Sequence, residues 1–123
     1  MVDTTPLLPG LSPVGGKAVA ARFDGGALSS DAGLLALREV ERRLDVAGRL
    51  AACVDDPRDP ARTHHSVADI ARFRMLMIAA GYEDGIDANV LRADPVFKMA
   101  LDRLPGERDL CSQSTVSRLE NLL

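Results

Sequence analysis

The segment from Ser66 to Gly81 constrains the fold of this chain more than any other stretch. Val67, Ile70, Phe73, Met77 and Ala80 recur at helical spacing. Ser66 followed three positions later by Asp69 is a capping pattern, and Gly81 is a helix stop. Apolar residues fill most of the circumference and leave a polar sector only at Asp69 and Arg72, so a central, buried helix is predicted over 67–80. Arg74 projects into the apolar side between Ile70 and Ile78. A guanidinium there needs a carboxylate or several carbonyls; Glu83 and Asp84 are candidate partners, and snorkelling to water is the alternative. The longest strictly apolar run is six residues, Met75 to Ala80, against about 20 for a spanning helix, so no membrane contact is expected.

The other apolar runs also keep helical period. Gly33, Leu37, Val40 and Leu44 form one stripe, predicted to be the buried side of a first helix capped by Ser30 or Asp31. Arg38 and Arg42, four apart on its other side, are available to an anion, although an ordinary solvated face reads the same way. Asp45 caps a short helix through Leu50 to Cys53, and the aspartates and prolines of 54–60 make a loop. A short helix begins at Asp87, and Asp94 caps the next with Pro95 at its first position. Val96, Phe97, Met99, Ala100 and Leu101 supply that helix's buried surface. A last helix starts at Ser112 or Ser114 and runs off the end, which is expected of a truncated chain.

The first 16 residues hold six of the 17 prolines and glycines, so residues 1–17 read as an extended arm outside the core. Val19, Ala21 and Phe23 alternate before Asp24, Gly25 and Gly26, which predicts a short β-hairpin over 18–29. Residues 30–123 complete a small, mainly α-helical domain. No basic residue precedes Lys17, the reverse of a signal peptide, and a cytoplasmic location is expected.

Chemistry-bearing patterns are few. Cys53 and Cys111 lie 58 positions apart without metal spacing, and the adjacent His64 and His65 lack the partners of a zinc site, so no cofactor is expected in this chain. Most of the 18 acids read as caps or loop residues, and neither a nucleophile elbow nor a phosphate loop is present. The net charge of −3 argues against nucleic acid as a partner, yet 13 of the 15 cations are arginines, the residue suited to bidentate phosphate contacts.

The last helix is more informative. Ser114, Ser117, Arg118 and Asn121 share one face, with Val116, Leu119 and Leu123 opposite. Serine, arginine and asparagine are donors that read phosphates and base edges, and Ser114 to Arg118 is similar to the start of a lactose-repressor-type recognition helix. The gap of about nine residues back to the preceding helix exceeds the three or four of a helix-turn-helix. A small helical DNA-binding regulator, an interaction module without catalytic activity and a plain solvated face all fit these residues.

Four strings, taken in order, resemble the N-terminal part of bacterial insertion-sequence transposases of the DDE type, specifically the insertion-sequence thirteen-eighty family. They are FDGG with LSSDAGLL (Phe23 to Leu35), DDPRDPARTHHS (Asp55 to Ser66), IAAGYEDGIDANVLRADP (Ile78 to Pro95) and SQSTVSRLEN (Ser112 to Asn121). The family usually has proline at position 114 and leucine at 116. The resemblance implies a full-length enzyme that mobilises its element by DNA cleavage and strand transfer, with three carboxylates on a ribonuclease-H-like fold holding divalent metal, magnesium. It places the first of those carboxylates beyond Asn121, so this helical region is expected to lack the catalytic core. Its expected partners are the DNA ends of the element and further copies of itself. Candidate DNA contacts are Arg38, Arg42, Ser114, Ser117, Arg118 and Asn121.

Overall fold

The structure, a computed structural model, describes residues 10–20 and 31–122. The hairpin expected over 18–29 lies largely outside them. Among the described residues six α-helices succeed one another: α1 Leu34–Leu44, α2 Val46–Ala51, α3 Val67–Ala79, α4 Ala88–Leu91, α5 Pro95–Ala100 and α6 Gln113–Leu122. Short 3-10 turns occupy Pro60–Arg62 and Gly85–Asp87. The described residues hold no strand; Val14 and Lys17 form an isolated bridge, and the fold is mainly α. None of their helices is long and apolar enough to cross a membrane.

α3 is the helix that local sequence predicts. The Ser66 hydroxyl accepts from the Asp69 amide at 3.1 Å. At the other end Gly81 adopts φ 98°, which lets its amide reach the Ile78 carbonyl and the Tyr82 amide reach that of Met77, the pair of bonds that closes a helix at a left-handed glycine. Ile70, Phe73 and Met77 are buried, and α3 packs on α2 and α6. Phe97 of α5, beginning where Asp94 accepts from the Val96 and Phe97 amides, meets Phe73 edge to face at 5.7 Å and Tyr82 at 6.2 Å. Arg74 finds a carboxylate, but from α6: its Nε donates to Glu120 at 2.7 Å. Glu83 serves Arg74 through its carbonyl, and Asp84 caps the second 3-10 turn.

α1 reverses its expected orientation. Leu37, Val40 and Leu44, read as the buried stripe, are 39%, 51% and 52% exposed, while Leu34, Leu35, Arg38 and Glu41 face inward. The two inward charges find several partners there, although the Arg38 Nε is buried without one among the described residues. Arg38, 2% exposed, donates from Nη1 to the Ser12 carbonyl at 2.7 Å, from Nη2 to the Pro13 carbonyl at 2.8 Å, and to the Asp102 carboxylate. Glu39 takes the amide and hydroxyl of Ser12, which hold its carboxyl below the usual range. Glu41 accepts from the amides of Val46 and Ala47 at the start of α2 and from Arg72 Nε on α3. The N-cap of α1 is Gly33, with no side-chain cap; Asp31 accepts instead from the Tyr82 hydroxyl, and Ser30 lies outside the described residues.

The segment around Ser12 is therefore not a free arm. Gly15 (φ 54°) and Gly16 (φ 77°) make a two-residue turn closed by paired bonds between Val14 and Lys17 at 2.9 Å, a conformation that demands positive φ at both positions. The turn buries Val14 and Val19 against Leu35, Val96 and Met99, a second small core.

Two substitutions four residues apart separate the buried arginine from the exposed one. Arg38→Ala is expected to lower unfolding free energy by about 2 to 4 kcal/mol, short of the full penalty for a buried pair because Asp102 is half exposed. Arg42→Ala, which removes a 3.3 Å contact between two half-exposed groups, should cost less than about 1 kcal/mol. Urea titrations of the two variants measure both.

Candidate functional site

Most arginines of this chain are committed to its own structure. Arg38 is enclosed as described, and Arg42 is exposed with Asp102 beside it. Arg72 joins Glu41, Asp45 and Asp69, and Arg103 joins Asp69 at 2.7 Å. Arg43, Arg49 and Arg118 are exposed and make no hydrogen bond or ion pair among the described residues.

Of these three, Arg118 lines a groove of about 460 Å³ between α6 and the segment leading into α3. Arg58, Asp59, Thr63, His64 and His65 form one wall, Thr115 and Arg118 the other, and Val67, Ile70, Leu119 and Leu122 the floor. Asp59 is the acid of the lining, and its carboxylate caps the first 3-10 turn. Arg58 is held by a two-pronged pair with Asp56 at 2.8 to 3.1 Å, which keeps the Asp56 carboxyl below its ordinary value. Arg108 Nη1 donates to His64 Nδ1 at 2.8 Å. A guanidinium can only donate, so Nδ1 accepts and the His64 proton sits on Nε2, a second donor beside the groove.

α6 presents the donor face the sequence predicts, opposite buried Val116 and Leu119. Ser114 and Asn121 are exposed; Ser117 is half-buried and its hydroxyl meets Gln113 Nε2 at 3.1 Å. Arg118 stands at the seam between this face and the groove. Arg38 and Arg42 line a different cavity, of about 240 Å³, together with Glu41, Asp45 and Asp102. The structure thus brings the four α6 residues together and leaves Arg38 and Arg42 in a separate, acid-rich setting. Sequence reading missed Arg58 and His64 as residues sharing a groove with Arg118, and Arg108 as the partner of His64, because the groove is built from segments about fifty residues apart; the two adjacent histidines were the visible sign of it.

Two further groups bear on chemistry. Burial raises the Cys111 thiol to about 11, which keeps it protonated and unreactive at neutral pH. Among the described residues no three His, Cys, Asp or Glu side chains gather in a way that could hold a metal ion.

A family model described as transposase DDE domain, group 1, matches residues 11–123. No curated protein and no solved structure matches the chain.

His65 gives the site region a pH signature. Burial, then the charges of Arg103 and Arg92, depress its pKa below the ordinary 6.5, against a weaker opposing pull from Asp69. As pH falls below about 6.5 the unfolded chain takes up a proton that the folded state resists, so stability should fall. His65→Gln should flatten that slope between about pH 7.5 and 5.5, where urea midpoints are compared. Glu39 and Asp56, both held below their ordinary values, lose their contribution only at lower pH.

Proposed function

Because the chain belongs to the DDE-domain transposases of group 1, we propose that it is the DNA-end-binding and assembly region of an insertion-sequence transposase of the thirteen-eighty type, acting in the bacterial cytoplasm. The observation that supports DNA contact is Arg118: an exposed side chain with no partner among the described residues, flanked by Ser114 and Asn121 on one side and by the groove on the other. Serine and asparagine donors position a backbone or read base edges, and an unpaired arginine is the cation best suited to phosphate or guanine. Arg42 is the weaker contact, since Asp102 already faces it. Arg38 is a structural residue and takes no part.

DDE transposases cut and rejoin DNA with divalent metal held by carboxylates. The described residues hold no such cluster. Their contribution is to bind and orient DNA. With a net charge of −3 the affinity should be modest and fall steeply with salt, as expected where a few arginines act through counterion release.

Assembly has its own supporting observation. Leu37, Val40 and Leu44 of α1 stand exposed next to Val46, Met75 and Ala79 around an apolar groove of about 160 Å³. A second copy of the chain would cover that face. If so, Val40→Glu should shift the sedimentation coefficient of a concentrated sample to that of the monomer, whereas a wild-type protein already monomeric at that concentration would remove the reading.

Arg118→Ala is expected to weaken binding by about 1 to 3 kcal/mol on a duplex taken from the DNA flanking the gene, and by less on a scrambled duplex, if the side chain reaches a base. Equal weakening on both duplexes indicates phosphate contact alone. Unchanged affinity for both would remove Arg118 from the interface.

A further inference from the structure

The groove beside Arg118 has more than a phosphate contact requires. A cation reaching a duplex backbone needs only an exposed guanidinium, and a paired base keeps its faces inside the stack. Here the donors, Arg118, Arg58 and His64, rim a floor made by Val67, Ile70 and Leu122. Leu122 is 44% exposed, so part of that floor is open to a ligand. The volume of about 460 Å³ falls within the roughly 300–1,000 Å³ of small-molecule sites. Charge on the rim and apolar surface below match a flat, apolar-faced group carrying an anion.

We propose that this groove seats one unpaired nucleotide of a DNA end, its base against Leu122 and the edge of Val67 and its phosphate on Arg118 and the Nε2 proton of His64. Unpaired bases bind by laying an open face on protein surface while cations track the phosphate. Arg108 acts as a positioning residue: it fixes the His64 tautomer at 2.8 Å and so aims the second donor. Asp59, the acid of the lining, accepts from the Ala61 amide of the 3-10 turn, and the phosphate is placed on the Arg118 side of the groove, away from that carboxylate. The proposal rests on the DNA-binding reading above and sharpens it from a helix face that touches DNA to a pocket that holds a single exposed nucleotide.

The test uses this chain with three probes, dAMP, deoxyribose 5-phosphate and inorganic phosphate, followed by calorimetry. dAMP should bind about tenfold more tightly than inorganic phosphate, a difference of about 1.4 kcal/mol. Arg118→Gln should weaken all three probes. Leu122→Ser, at a position exposed enough to leave the circular dichroism spectrum unchanged, should weaken dAMP alone. A duplex with one unpaired 3′ nucleotide should displace dAMP, and the blunt duplex should not. Failure of dAMP to bind, equal affinity for dAMP and phosphate, or an unaltered dAMP affinity in Leu122→Ser overturns the pocket. If duplex binding nonetheless falls in Arg118→Gln, the wider DNA-binding reading survives; if it does not fall, that reading fails as well.

Discussion

The buried guanidinium of Arg38 is the interaction on which the rest of the structure depends. A charge taken out of water needs partners on every side, and the sources of those partners decide the arrangement of the chain: Ser12 and Pro13 from the N-terminal turn, Asp102 from the end of α5. Satisfying Arg38 therefore brings the turn onto α1, brings α1 against α5, and rotates the apolar stripe of α1 outward. Asp102 itself sits at φ 61°, a left-handed conformation that aspartate tolerates better than most side chains. Glu41, one turn further along the same face, repeats the device with opposite sign by taking the first amides of α2 and Arg72 of α3.

This arrangement sorts the arginines by role. Arg38, Arg72 and Arg103, spent on folding, sit where α1, α3 and α5 meet, facing Glu41, Asp69 or Asp102. Arg118 faces none of them. An acidic chain can still present a local cationic site when its carboxylates are drawn to one region and an arginine is left in another, and the net charge says nothing about that separation. The transposase family supplies the partner for which such a site is useful.

Legibility in the sequence followed the range of the interactions. α3, its Ser66 cap, its Gly81 stop and the Asp94–Pro95 start of α5 depend on neighbours within four residues, and periodicity alone located them. The buried side of α6 was legible for the same reason. α1 was not: its apolar period is real, yet the face that turns inward carries Leu34, Leu35, Arg38 and Glu41, and the Asp102 that Arg38 meets lies 64 positions away. Glu120 stayed hidden from Arg74 at a separation of 46, and Arg108 from His64 at 44. Of the six candidate DNA contacts, the four on α6 share an exposed or half-buried face, and the two on α1 are tied to Asp102. The groove itself has no local pattern, since its walls come from different parts of the chain.

The central claim is that DNA meets the groove side of α6 and not the α1 side of the molecule. Amide hydrogen exchange with and without duplex tests it most directly, because it reports on every segment at once. The account predicts slowed exchange on DNA addition over residues 63–67 and along α6, with α1 unchanged. Slowed exchange confined to α1 around Arg42 and Arg43, with α6 unaffected, would contradict it.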